Sequence, residues 1–297
     1  MPIRPVIQLD LTEPRYSIQD LILAPETMDE LKTIVSFFKN KNKLFGEWGF
    51  DERYADRDGL AVNLYGESGT GKTMAAHAVA KELGLNMICV DYADIESKYV
   101  GETAKNLKAL FQKATDEGAI IFFDEADALL SKRVTNMTLA ADVSVNQTRS
   151  VLLTLLNDYQ GVILFATNFI QNFDSAFLRR IRWHIKFSMP DADLREKLWR
   201  LYIPSKMPVK INYAEIAEKF DNISGADISN AVFAAAVAAL TEDAKFVEQE
   251  RFERAVVNII NAKKANQSKN FYTESKRVIS EAEANTELES QKSDAKL

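Results

Sequence analysis

One octapeptide, Gly66-Glu67-Ser68-Gly69-Thr70-Gly71-Lys72-Thr73, constrains this chain more than any other part of it. It fits G-x-x-x-x-G-K-[ST], follows the apolar run Leu60–Tyr65, and opens a helical pattern over Lys72–Leu83. Strand, glycine-rich loop and helix in that order make a cradle for phosphates. The glycines let backbone N–H groups turn inward, and the helix N-terminus adds favourable potential for anions. Lys72 brings a positive charge to β- and γ-phosphates, and the Thr73 hydroxyl is placed to ligate Mg²⁺. A chance match to this pattern arises on the order of once in a hundred chains this long.

Further apolar runs alternate with helical patterns after the octapeptide. The runs are Met87–Asp91, Ala119–Asp124, Val162–Thr167 and Trp183–Phe187; the helices are expected at Lys72–Leu83, Thr103–Thr115 and Asn146–Tyr159. Near-continuous apolar strands alternating with helices predict an α/β fold with a five-stranded parallel sheet covered on both faces. Before it, Pro2, Pro5 and Pro14 make residues 1–15 an extended arm. A helix is expected over Met28–Lys39 and a turn at Leu44–Phe50. After Pro190 the texture changes. Asp193–Tyr202, Tyr213–Lys219, Asp227–Leu240 and Arg251–Asn261 read as helices with no strand between them, a small all-helical lid over 190–264 following a large domain over 16–189. Residues 265–297 carry too few apolar side chains for a core and read as a polar, disordered tail.

Two acids follow the run Ile120–Phe123. Asp124 is placed to hold the Mg²⁺ shell and Glu125 to polarise an attacking water as general base, since ligands in such sheets sit at the strands' carboxyl ends. Alone, an acid at a strand end more often caps the next helix; here it stands about fifty residues after a phosphate loop. Asn168, at the end of Val162–Thr167, offers a carboxamide to water or the γ-phosphate, against the plainer reading of a turn-forming Asn. Arg179, Arg180 and Arg182 cluster after a short helical pattern from Asp174. Arginines there either stabilise charge on a transferring phosphoryl group or simply close a helix end.

These motifs, in this order, resemble the AAA+ superfamily, and within it the AAA ATPases in the strict sense, over about Ser17 to Lys264. LYGESGTGKT is similar to the Walker A box, IIFFDEADAL to Walker B, and ATNFIQNFDSAFLRRIR to the second region of homology. The resemblance implies that Asn168 is sensor 1 and that Arg179 and Arg182 are arginine fingers reaching a neighbour's nucleotide. It gives Gly225 and Ala226 a place in the sensor-2 region, and Asp20, Leu21 and Ile22 a place beside adenine. It adds Met74 to the nucleotide-binding residues. Lys98, Tyr99 and Val100 resemble a pore loop that grips an extended polypeptide, an aromatic being able to contact almost any side chain. The polar stretch Ser131–Gln147 is expected to supply a second channel loop. Glu67-Ser68 replaces the usual Pro-Pro, and Ile181-Arg182-Trp183-His184 replaces the usual Gly-Arg-Phe-Asp.

The implied function is an ATP-hydrolysing motor, with ATP and Mg²⁺ as cofactors. It remodels, threads or disassembles a protein client through a homo-oligomeric, hexameric ring. A Rubisco-activase-like chaperone and a nucleic-acid motor or loader are the rivals; a scaffold with little turnover is set against by Asp124 and Glu125. With 37 Lys and Arg against 43 Asp and Glu, the net charge of −6 gives no basic footprint for nucleic acid. One cysteine, Cys89, and two histidines exclude an internal disulfide and a Cys- or His-rich metal site, and point to the cytoplasm. The most apolar stretch, Ala231–Leu240, is far short of the roughly 20 residues of a membrane span. No protease motif is legible.

Overall fold

A computed structural model describes residues 9–54, 59–90, 102–131, 140–168 and 173–265. Its main sheet contains β1 (Leu11–Thr12), β2 (Leu60–Gly66), β3 (Met87–Val90), β4 (Ile120–Phe123), β5 (Val162–Thr167) and β6 (Trp183–Phe187), in the order β1-β3-β4-β5-β2-β6. The five expected strands are all present and all parallel to one another. Burial on both faces explains their unbroken apolar sequence. In β4, Ile120 and Phe122 enter one core with Val62, Leu64 and Leu164, while Ile121 and Phe123 enter the other with Ile88, Ile163 and Phe165. Phe123 and Phe165 stack with ring centroids 5.2 Å apart.

Part of the expected N-terminal arm is a sixth strand. β1 runs antiparallel to β3, pairing Leu11 with Ile88 and Thr12 with Met87. Leu9 is buried in the core, and the Lys113 ammonium donates to its carbonyl oxygen. Pro14 stands two residues beyond this pairing and does not prevent it. The helix after it spans Pro25–Lys39, with proline in its first turn, where the missing N–H costs nothing. A π-helical turn at Lys43–Glu47 occupies most of the expected Leu44–Phe50 turn.

Two compact units are present. The first holds the main sheet up to Leu194, together with Ser224–Ala226; the second comprises Arg195–Ile223 and the chain from Asp227. The second is built on helices Tyr213–Lys219, Gly225–Thr241 (from Asp227 on) and 249–265. Trp199, fully buried, meets Phe252 edge to face at 5.8 Å. One short parallel pairing, Val209–Lys210 with Val247–Glu248, joins these helices. Two-residue strands lack the alternation that marks a strand in sequence, so this pairing leaves no pattern to read.

Candidate functional site

At Gly66 the chain leaves the sheet between β5 and β6. Its φ is +151°, and a Cβ there would lie 2.1 Å from the Phe187 carbonyl oxygen, so only glycine fits. The loop beyond is tied to itself: the Thr70 hydroxyl donates to the Glu67 carbonyl at 2.8 Å. Glu67 and Ser68 are exposed, whereas Thr70 and Lys72 are buried and Met74 packs against the core. The Lys72 ammonium donates to the carbonyls of Gly66 (2.6 Å) and Glu67 (2.9 Å) and to Asn168 Oδ1 (3.1 Å). Burial lowers its pKa, opposed by the nearby charges of Asp124, Asp127 and Glu67. The helix Lys72–Leu83 begins at Gly71 with no side-chain cap, leaving its first N–H groups for an anion.

Beside this cation stand the acids that follow β4. Asp124 Oδ2 accepts from the Thr73 hydroxyl at 2.9 Å, and Oδ1 accepts from the Glu125 N–H at 3.0 Å. Glu125 is exposed and has φ +48°, a left-handed conformation that costs a side-chain-bearing residue about 1–3 kcal/mol. That turn is fixed by the Ala126 N–H on the Ala166 carbonyl at 2.9 Å. Asp127 was not singled out from the sequence, yet both its carboxylate oxygens accept from the Asn168 N–H, at 3.0 and 3.1 Å. Asp127, Asn168 and Lys72 thus form a continuous line. The signal available was an acid three residues after Asp124, at the start of the helix Asp127–Leu130.

Two distant segments border the loop. Leu23 approaches Gly71, 3.7 Å from where a Cβ would be. Leu21 is buried in the core and Ile22 half-buried, while the Asp20 carboxylate accepts from the Ser17 N–H and hydroxyl, both at 2.7 Å. Those bonds hold its pKa down. On the same helix as Lys72, His77 Nδ1 accepts from the Arg15 N–H at 3.4 Å, and its ring meets Tyr16 edge to face. From the other side, the Ala226 N–H donates to the Gly69 carbonyl at 3.2 Å, with Gly225 opening the helix there. A Cβ on Gly69 would lie 2.5 Å from Ser224 Oγ and 2.8 Å from Ala226 Cβ.

The three arginines differ. Arg180 is committed to its own chain, Nε donating to Asn157 Oδ1 at 2.8 Å and Nη1 to the Ala176 carbonyl at 3.0 Å. Arg182 lies over the rings of Trp183 (5.5 Å) and Phe37 (5.7 Å). Arg179 is exposed, and its side chain makes no hydrogen bond or ion pair among the described residues.

Lys98, Tyr99 and Val100 lie outside the described residues, as do residues 132–139 of the expected second loop; from Ala140 to Asp158 the chain is helical, so that loop is shorter than Ser131–Gln147. The expected tail beyond residue 265 also lies outside them. Among the described residues no helix is long and apolar enough to cross a membrane, and no cluster of three or more His, Cys, Asp or Glu side chains is placed to hold a metal.

Residues 62–190 match the ATPase family associated with various cellular activities (AAA), and residues 210–254 match the AAA+ lid domain. The chain is similar to the ATP-dependent zinc metalloprotease FtsH 1 of Alkaliphilus metalliredigens, 30% identical over 87% of this chain and 44% of that protein. It is 34% identical to proteasome-activating nucleotidase 1 of Haloferax volcanii, over 77% of this chain and 57% of the relative. A putative 26S proteasome regulatory subunit homolog of Methanocaldococcus jannaschii is 32% identical over 86% of this chain and 67% of its own length. The chain therefore spans about half the length of the relatives it matches.

Proposed function

Because the chain belongs to the AAA family of ATPases, we propose that it hydrolyses ATP with Mg²⁺ and uses the energy to remodel a protein client in the pore of a homo-oligomeric ring. One observation carries the reading: Lys72 is held between the phosphate-loop carbonyls and Asn168, while the next residue, Thr73, pairs with Asp124. A cation, a carboxamide and two oxygen donors at the carboxyl ends of β2, β4 and β5 support it.

Thr73 and Asp124 fit Mg²⁺, which takes one or two protein oxygens and fills its remaining positions with water and phosphate; a cluster of three acids is not required. When bound, the ion neutralises charge on the β- and γ-phosphates. The protein supplies the rest. Lys72 transfers its donors from the loop carbonyls to phosphate oxygens, and the backbone of Gly66 to Met74 encloses them. Asp127 fixes Asn168, whose side chain orients the γ-phosphate or the water. Glu125 accepts the water's proton at its carboxylate. Asp20 to Ile22 border the base, and Gly225 and Ala226 close on the loop.

Arg179 is the principal arginine finger, because it alone of the three is exposed and uncommitted. Arg182 is the second, its guanidinium oriented by the rings beneath it. Lys98, Tyr99 and Val100 grip the client. The names of the relatives, a proteasome-activating nucleotidase and an ATP-dependent protease among them, support a protein client, as the net charge of −6 does against nucleic acid. A hexamer in the cytoplasm follows from the same reading. Turnover of ATP should rise with protein concentration and with an unfolded protein, and DNA should not stimulate it. Lys72→Ala should lose ATP affinity by calorimetry; unchanged affinity in that variant, or stimulation by DNA alone, overturns the reading.

A further inference from the structure

β2 is apolar apart from Asn63 until it approaches the phosphate loop, and Asn63 is completely buried. Asn63 Oδ1 accepts a hydrogen bond from the Thr167 hydroxyl at 3.0 Å, and Thr167, also buried, is the residue before Asn168. Asn63 Nδ2 has no hydrogen-bond partner among the described residues. The β2–β6 register sets Asn63 opposite His184, so the two side chains project from the same face of the sheet. Both ring nitrogens of His184 are buried, and neither has a hydrogen-bond partner among the described residues. Burial lowers the pKa of this imidazole, partly offset by the backbone of Leu178 and Ile181 close to it. Those two residues bracket Arg179 and Arg180 and lead directly into Arg182.

Buried polar groups in folded proteins are nearly always paired. Three unpaired atoms on two adjacent side chains, in a sheet otherwise filled with Val, Ile, Leu and Phe, call for an explanation. We propose that Asn63 and His184 are a positioning pair, tying the Thr167–Asn168 end of β5 to the arginine-bearing segment Leu178–Arg182. The inference rests on the roles proposed above for Asn168 and Arg179.

The pairing is chemically complete. A neutral imidazole has one acceptor and one donor. The Thr167 hydroxyl donates to Asn63 Oδ1; a closer approach of the two side chains then lets Asn63 Nδ2 donate to the imidazole acceptor and the remaining imidazole N–H donate to the carbonyl of Leu178 or Ile181, two bonds not made at the distances of this structure. Every donor in this line meets an acceptor. Only this orientation of the amide closes the line: turned over, Asn63 Oδ1 would take the imidazole N–H and leave the imidazole acceptor against a carbonyl. The line crosses only β5, β2 and β6, which are neighbours in the sheet, over about 10 Å. A displacement of Asn168 on phosphate contact is thereby delivered to the backbone that carries the arginines.

Asn63→Leu tests this, because leucine has a similar volume and suits a buried strand, so the variant should fold. The expected result is a melting temperature equal to or above that of the parent, a KM for ATP within about twofold, and kcat reduced about fivefold or more. His184→Phe should lower kcat comparably, the double variant should be no slower than either single one, and His184→Gln, which keeps a donor and an acceptor, should recover most of the rate. Asn63→Leu with raised stability and undiminished kcat would mean that the amide is merely a buried defect, and the proposal fails. A second measurement does not depend on turnover: ¹⁵N spectra of the His184 ring should show one fixed neutral tautomer in the parent and a mixture in Asn63→Leu. Identical tautomer populations in both overturn the pairing. A parent chain that binds ATP without hydrolysing it would remove the functional reading, and with it the catalytic role of the pair, while the ring spectrum still decides whether the pair exists.

Discussion

Gly69→Ala and Gly84→Ala place the same methyl group on two left-handed glycines with different surroundings. Gly84 has φ +69° and nothing within 4 Å of a Cβ, so alanine there meets only the backbone penalty. That penalty is about 1–2 kcal/mol, offset by about 0.4–1 kcal/mol from the stiffer unfolded chain. Gly69 has φ +79°, but its Cβ would sit 2.5 Å from Ser224 Oγ and 2.8 Å from Ala226 Cβ, where ordinary contact is about 3.5–4 Å. The segment Ser224–Ala226 would have to retreat by about 1 Å, losing the Ala226 N–H bond to the Gly69 carbonyl. Overpacking costs about 1–3 kcal/mol and a lost hydrogen bond about 1 kcal/mol. Gly69→Ala should therefore be about 2–4 kcal/mol less stable than Gly84→Ala in urea denaturation. It should also bind ATP more weakly by calorimetry, since the displaced segment borders the phosphate loop. Equal stability of the two variants, with unchanged ATP affinity, would refute the contact between Gly69 and Ser224–Ala226.

Glu125→Gln should keep ATP affinity and lose turnover by a factor on the order of 10²–10⁴, the range for a missing general base; turnover within a few-fold of the parent would place the base elsewhere. Arg179→Ala should lower turnover while ATP stays bound, and mixing it with Lys72→Ala subunits should restore part of the rate, whereas Arg180→Ala should mainly loosen the contact with Asn157. Activity independent of protein concentration down to the monomer would contradict a finger supplied by a neighbour. Tyr99→Ala should abolish stimulation by an unfolded protein and Tyr99→Phe should retain it, since grip depends on the ring face; equal loss in both would count against grip. His77 and His184 both have pKa values lowered chiefly by burial, so below pH about 6.5 the unfolded chain takes up protons that the folded chain refuses. Stability should fall as pH drops through that value towards the lowered folded pKa, by at most about 1.4 kcal/mol per pH unit for each histidine. A thermal-melt slope between pH 7 and 5 that is the same in His77→Gln/His184→Gln as in the parent would refute this.

The five parallel strands were legible because each is buried on both faces and so reads as a continuous apolar run. The helix Lys72–Leu83 was legible because a glycine stands at each end of it. β1 was not, because two residues between prolines carry no periodicity and their pairing is decided by β3, more than seventy residues away. Walker A and Walker B declare themselves through spacing. Asp127 does not, since its work is to hold the backbone of Asn168, a contact fixed only when β4 and β5 lie side by side. Asn63 and His184 were invisible for the same reason: an asparagine in an apolar run and a histidine in a short strand acquire meaning only from the β2–β6 register. The arginines were found by their cluster, but ranking them required seeing that Asn157 and Ala176 occupy Arg180.

The return of Ser224–Ala226 to Gly69 sets a schedule for the protein's birth. From Gly69 to Ala226 is 157 positions, so at about 5–20 residues per second the ribosome needs roughly 8–30 s after making the phosphate loop to supply its last neighbours. The sheet strands β3 to β6 are all synthesised within that interval and can pair with β2 and one another as they emerge. The loop they carry waits open on one side until Ala226 has been made. A nascent chain stalled shortly after Pro190 would hold Walker A, Walker B and Asn168 yet lack this flank, so full nucleotide affinity should appear only once residues beyond Ala226 have cleared the exit tunnel.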